Sequence, residues 1–351
     1  MPARYDVDLD TLAGLLAAHP PYRVQQVWDG LYRQLRDPAA MTDLPKALRD
    51  ELSALLPPSL ELVTERVSDG GDTVKFLWRL HDDRTIESVL MAYRDRVTVC
   101  VSSQAGCAMG CGFCATGQAG FERHLRAGEI VEQVVRAMRV ARDTGRRVCN
   151  VVFMGMGEPL ANYHNTWAAV ERLHGAAGLS ARHITISTIG IVPGLRRLAG
   201  ERLPVNVAVS LHAANDELRN QLVPVNKRYP LDELAAACRD YLAAKNRRLS
   251  FEWALIDGVN DRRRDAAELA ALVRPLRAHV NLIPLNPTPG FLARGTPASG
   301  VRAFRDRLVE LGVNVTVRRT RGAEIDAACG QLRETVALRS PRPAPVSAPA
   351  P

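Results

Sequence analysis

The chain has no run of about 18 consecutive apolar residues, which excludes a membrane-spanning helix. Its first residues, MPARYDVDLD, are polar and acidic where a secretory signal needs an apolar stretch. The expectation is a cytoplasmic protein with no membrane association. Cysteine is scarce and unevenly placed: seven in 351 residues are too few for a disulfide framework, so metal binding or redox chemistry is the better reading. A long basic run is missing as well. Lys and Arg outnumber Asp and Glu by 46 to 38, giving a net charge of +8 and a pI near 9.4, which suits a polyanionic partner such as nucleic acid. The basic residues are scattered in short groups (Arg146-Arg147, Lys227-Arg228, Arg247-Arg248, Arg262 to Arg264, Arg318 to Arg321) that read singly as solvated surface.

What is present is enough chain for one large core and a small accessory unit. Residues 1–58 read as a helical accessory domain, with Leu12, Leu15, Leu16, Val24, Val27, Trp28 and Leu31 at helical spacing and Pro57-Pro58 closing it. Residues 59–96 change to short strand-like runs (60–67, 74–80, 85–91) joined by turn signals at Asp69-Gly70-Gly71 and His81-Asp82-Asp83, a β-hairpin linker region. From Val97 to residue 338, strand-like segments at 97–102, 150–154, 183–187, 205–210, 249–255, 280–285 and 313–318 alternate with helical patterns such as Glu129 to Arg142. That rhythm predicts an α/β fold, and six or seven such units suit a partial, open β/α barrel better than a closed one. The tail, 339–351, is Pro/Ala-rich and reads as disordered.

Such a barrel gathers its site just past the C-terminal ends of its strands. There the sequence places Cys107-Ala-Met-Gly-Cys111-Gly-Phe-Cys114, Gly155-Met-Gly157-Glu158-Pro159, Ser187-Thr188, Ser210-Leu211-His212 and Asn286-Pro287. Three thiolates at C-x3-C-x2-C spacing can wrap one face of a four-iron cluster and leave one iron open for a substrate, whereas an electron-transfer cluster is normally closed by four cysteines. The alternative is structural zinc, which needs a fourth ligand; His124 is the local candidate. On the strand VTVCVSS, Thr98, Cys100 and Ser102 share a small polar face that could line a cavity, or Cys100 could pack as an inert core residue. Cys329, between Ala327-Ala328 and Gly330, lies outside any strand or helix pattern, and sequence alone does not decide its reactivity. Cys149 and Cys238 match no catalytic pattern and read as core.

The C-x3-C-x2-C loop after the first barrel strand resembles the radical S-adenosylmethionine superfamily. The segments Cys100-Val-Ser-Ser-Gln-Ala-Gly-Cys107, Phe153-Met-Gly-Met-Gly-Glu-Pro-Leu160, Ile186-Ser-Thr-Ile-Gly190, Ser210-Leu-His212 and Asp326-Ala-Ala-Cys-Gly-Gln-Leu332 resemble, more closely, the dual-specificity RNA adenine carbon-2 methyltransferases. The resemblance runs from about residue 20 to 335. It implies a [4Fe–4S] cluster on Cys107, Cys111 and Cys114, with S-adenosylmethionine on the open iron and two molecules consumed per turnover. It also implies cofactor contacts from Gly157, Glu158, Ser187, Ser210, Leu211, His212 and Asn286.

In that family a thiolate equivalent to Cys329 is methylated in a polar step. Its methyl group is then carried as a radical to an adenine carbon, Cys100 takes the ring proton, and a transient Cys100–Cys329 disulfide releases the product. Glu87, in TIESVLM, matches a position described as a proton acceptor. The implied partners are 23S ribosomal RNA, tRNA modified beside its anticodon, and an electron donor such as flavodoxin or ferredoxin, for a monomeric enzyme. The N-terminal unit would grip RNA backbone. The competing readings are the related carbon-8 adenine methyltransferases, a non-catalytic zinc-containing RNA-binding protein, and a radical enzyme acting on peptides.

Overall fold

Strand pairing explains how the chain is laid out. A computed structural model describes residues 3–318 and 320–332, and the tail expected to be disordered lies outside them. The strands are β1 (Glu61–Ser68), β2 (Thr73–Arg79), β3 (Thr85–Ala92), β4 (Val97–Cys100), β5 (Gln104–Gly106), β6 (Phe121–His124), β7 (Asn150–Phe153), β8 (Ile184–Thr188), β9 (Asn206–Ser210), β10 (Leu249–Leu255), β11 (His279–Pro284) and β12 (Asn314–Val317). The helices are α1 (Leu9–Leu15), α2 (Tyr22–Tyr32), α3 (Lys46–Leu55), α4 (Ala115–Ala119), α5 (Ala127–Asp143), α6 (Tyr163–Gly175), α7 (Val192–Gly200), α8 (Asp216–Leu222), α9 (Leu231–Lys245), α10 (Arg263–Val273) and α11 (Ala298–Glu310).

Ten strands form one sheet in the order β1-β2-β3-β4-β7-β8-β9-β10-β11-β12, and β5 pairs with β6 apart from it. From β4 through β12 the seven barrel strands are parallel, and the sheet is open, with β1 and β12 at its ends. Both faces of such strands are covered, so they read as nearly continuous apolar runs: Val151, Ile186, Val207, Val209 and Phe251 are all buried. Helices pack in the pairs α5 with α6, α7 with α9, and α10 with α11. The seven expected strands are found within two residues at each end.

The segment expected as a hairpin lead-in, 59–96, does more than connect. β1, β2 and β3 pair antiparallel, and β3 pairs antiparallel with β4, so they extend the main sheet. The pairing supplies partners to the backbone groups along the edge of β4, which would otherwise be an open template for another strand. The N-terminal helices bury Leu12, Val27, Trp28, Leu31, Leu48 and Leu52 in a core continuous with that of the barrel. Among the described residues, no helix is long and apolar enough to cross a membrane.

Candidate active site

The cysteine loop is shaped by a small hairpin. Gly106 ends β5 at φ +72°, and a Cβ there would stand 2.0 Å from the Gly120 carbonyl oxygen, so only glycine permits the close crossing that lets Cys107 N–H donate to Gly120 O at 2.7 Å. The loop then turns, Cys114 N–H donating to Cys111 O at 3.1 Å, and α4 follows at once. Cys111 is buried, with Cys107 and Cys114 partly so. All three line a cavity of about 170 Å³ at the C-terminal ends of the barrel strands. Burial pushes the Cys107 thiol up to about 12 and raises the Cys111 thiol as well, so these two sulfurs favour the protonated state until a cation binds them.

The opposite wall carries the other candidates. Gly157, at φ +99°, lies against Gln104, whose Cβ would be 2.5 Å from any added Cβ. This close approach sets Glu158, whose N–H donates to Gln104 Oε1 at 2.8 Å. The buried Glu158 carboxylate accepts from Leu160 N–H at 2.9 Å and Ile189 N–H at 2.8 Å, joining the ends of β7 and β8; burial pushes its pKa up to about 7. His212 sits in the left-handed region at φ +61°. Its Nδ1 accepts from Ala254 N–H at 3.0 Å, and its ring meets Phe113 edge-on at 4.8 Å.

Ser187, Ser210 and Asn286 line the same cavity. Asn286 Nδ2 donates to Cys329 O at 3.1 Å. The Cys329 segment is further tied to the cysteine loop by Ala115 N–H to Gly330 O at 2.8 Å and Thr116 Oγ1 to Leu332 O at 2.7 Å. Ten of the thirteen residues singled out from the sequence thus face one cavity.

The remaining three lie elsewhere. Cys100 lines an adjoining cavity, which Cys329 also lines. Leu211 lies beneath the site, its side chain in the core, its N–H bonded to Glu252 O and its carbonyl taken by Arg219. Glu87 is fully buried on β3 in an ion pair with Lys75 at 2.9 Å and lines neither cavity. Cys238 is in the core; Cys149 is half-buried, its sulfur 3.4 Å from Val97 O.

Two positions at the site escaped the sequence reading. Arg318, expected as solvated surface, instead lines both cavities beside Cys329, with its side chain 30% exposed and 3.5 Å from the buried Glu252 carboxylate of β10. It directly follows the last barrel strand, the same placement that marked the others, but the run of neighbouring arginines concealed it. Arg219 on α8 is fully buried beneath the site, and a lone Arg in the polar sequence DELRNQL carries no signal of that.

Soft thiol donors on one apolar-walled face suit iron–sulfur ligation. Among the described residues no three Cys, His, Asp or Glu side chains converge closely enough to hold one metal ion, whereas a four-iron cluster separates its thiolates more widely. His124 does not line the cavity and its Nδ1 pairs with Gln104 Nε2 at 3.0 Å.

Residues 101–270 match the radical SAM superfamily. Over 96% of its length, the chain is 50% identical to the probable dual-specificity RNA methyltransferase RlmN of Chloroflexus aurantiacus, covering 94% of that protein. The chain belongs to the dual-specificity RNA methyltransferase family. The family relative from Myxococcus xanthus, dual-specificity RNA methyltransferase RlmN 1, is 49% identical over 98% of both chains. A crystal structure of a radical SAM methyltransferase from Sphaerobacter thermophilus matches with TM-score 0.92 and 52% identity, covering 95% of this chain and 99% of that one. As a member of this family the protein is a radical SAM RNA methyltransferase, with a [4Fe–4S] cluster and S-adenosylmethionine as its cofactors.

Proposed function

We propose that the enzyme methylates carbon 2 of one adenine in 23S ribosomal RNA and of an adenosine beside the anticodon in tRNA, through a methylated Cys329. The observation that carries this reading is the position of Cys329. It lines the cavity of the three-cysteine loop and also the cavity of Cys100, as a methyl carrier between cofactor and base must. Held by Cys107, Cys111 and Cys114, a cluster with one open iron would supply the electron that cleaves S-adenosylmethionine to a 5′-deoxyadenosyl radical.

The chain's own residues do the rest. Gly157, Glu158, Ser187, Ser210, His212 and Asn286 form the cofactor pocket, and Leu211 supports it from below. Cys329 accepts the methyl group, with Arg318 lining the same two cavities beside it. Burial first, and then the neighbouring Cys329, push the Cys100 thiol up to about 12. Attack of Cys100 sulfur on Cys329 then breaks the bond from Cys329 sulfur to the carbon attached to the base, which leaves with the electron pair and takes a proton to become the product's methyl group as the disulfide forms; thiol reductants reset the pair. Glu87, sealed against Lys75, acts by fixing β3 beneath this site. The 1–58 unit contributes RNA-backbone contacts, and flavodoxin or ferredoxin supplies electrons to the monomer.

The test is an anaerobic reaction of the reconstituted enzyme with unmodified ribosomal RNA, S-adenosylmethionine and a strong reductant, followed by mass spectrometry of the nucleosides. 2-Methyladenosine that vanishes in Cys329→Ala is the expected product. 8-Methyladenosine, or no methylated adenosine from an iron-loaded, cofactor-cleaving protein, would overturn the assignment.

A further inference from the structure

The cavity that holds Cys100 is edged by Tyr93, Thr320 and Arg321, residues outside the sequence motifs. Tyr93 opens the tight turn between β3 and β4, its N–H donating to Arg96 O at 2.7 Å. That turn brings the Arg96 guanidinium over the Tyr93 ring, 4.3 Å from its centroid. Arg321, arriving from the segment after β12, also lies over the ring, 4.7 Å from its centroid. One aromatic ring therefore orients two cations at the rim of the thiol cavity.

We propose that Tyr93, Arg96 and Arg321 bind the RNA strand flanking the target adenine; the inference rests on the RNA methyltransferase reading above. A guanidinium held by its face on an aromatic ring keeps its N–H edge for phosphate oxygens and its outer plane for a stacked base. The local charge is suited to this. Arg96, Arg146 and Arg321 meet two carboxylates: Asp95, 3.1 Å from Arg96, and Asp72, shared by Arg146 at 2.9 Å and Arg321 at 3.7 Å. The excess is positive, and the Arg96 side chain is 46% exposed. A base worked on by Cys329 and Cys100 has to leave its stack to reach them, so the nucleotide next to it must cross this rim. Binding there holds the extruded strand in place where the cavity reads only one base.

The experiment uses the anaerobic, cluster-loaded full chain with tRNA as the probe, comparing wild type with Tyr93→Leu, Tyr93→Phe and the double variant Arg96→Ala/Arg321→Gln. Iron content and affinity for S-adenosylmethionine report whether each variant is folded. The double variant is expected to raise KM for tRNA by about tenfold or more with a smaller change in kcat. It should also flatten the salt dependence of binding by roughly 1.4 in log–log slope, the value for two lost phosphate contacts on a single strand. Tyr93→Leu should raise KM as well, while Tyr93→Phe, which keeps the ring face, should not. A double variant with wild-type KM and salt slope, in an enzyme that does methylate tRNA, would overturn this site alone. A wild-type enzyme that neither binds nor methylates RNA would overturn the RNA reading and this site with it.

Discussion

His212 combines three costs: a left-handed backbone in a residue with a Cβ, a buried ring, and a buried cation, Arg219, nearby. Burial first and Arg219 second pull its pKa down to about 3, so the ring stays neutral at physiological pH. Because Nδ1 accepts from Ala254 N–H, the ring proton sits on Nε2 as a donor. The folded pKa lies below the unfolded value of about 6.5, so the unfolded chain binds more protons in acid. The stability contributed by His212 is full above about pH 6.5 and falls as pH drops toward 3. Asn tolerates the left-handed region and carries an acceptor oxygen but does not titrate. His212→Asn is therefore expected to keep most of the stability at pH 7.5 and to flatten its decline between pH 6.5 and 4. His212→Ala, which leaves the Ala254 N–H unpaired, should lose about 1–3 kcal/mol at pH 7.5 and, with no imidazole to titrate, fall less steeply than the wild type in acid. Denaturant titrations across this range would settle it; an Asn variant with the wild-type acid slope would show that His212 is not the titrating group.

The strands and helices of the barrel were legible because alternation and apolar runs are local properties, and the site loops were legible because cysteine spacing and Gly-Glu-Pro sit where strands end. The order in which strands pair is not local. Nothing in the run of residues 60–91 announces that β3 would lie antiparallel against β4 and enlarge the main sheet. Charge also misled at the scale of the element: Arg318 and Arg321 belong to a run that reads as solvated surface but line cavities, and α8 hides Arg219. From α8 its guanidinium donates to Leu211 O at 3.0 Å, Ile189 O at 2.6 Å and Asn226 Oδ1 at 2.7 Å, joining the loops after β8 and β9. Arg219→Met leaves Ile189 O and Asn226 Oδ1 buried without this donor, while Leu211 O keeps Ala213 N–H, and the expected loss is on the order of 3 kcal/mol. Since the cysteine loop has its own hairpin, the same variant should lose affinity for S-adenosylmethionine while retaining iron. Calorimetric cofactor binding and iron analysis would check this; unchanged affinity would mean that the two loops hold their positions without Arg219.

At the scale of the whole molecule, the question is whether the N-terminal helices form a separable domain or part of one cooperative body. Their apolar faces share the barrel core, and polar bonds cross the same boundary. Arg172 of α6 donates to Tyr5 O at 2.8 Å and Val7 O at 2.6 Å. Arg139 of α5 pairs with Asp37 at 2.9 Å, an aspartate also bonded by Arg4. Asp6 accepts from Gly128 N–H of α5 at 2.9 Å. Fixed to α5 and α6 at so many points, the 1–58 unit gains little by opening alone, because each opening would strip apolar surface and strand paired groups on both sides. Arg172→Met removes two of these bonds, an expected cost of about 2 kcal/mol, or more than tenfold in an opening equilibrium. In a single cooperative body, hydrogen exchange should accelerate by a similar factor in α1, α2, α5 and α6. If acceleration is confined to α1 and α2, the N-terminal helices unfold by themselves, and RNA contacts made by them would be free to change without disturbing the barrel.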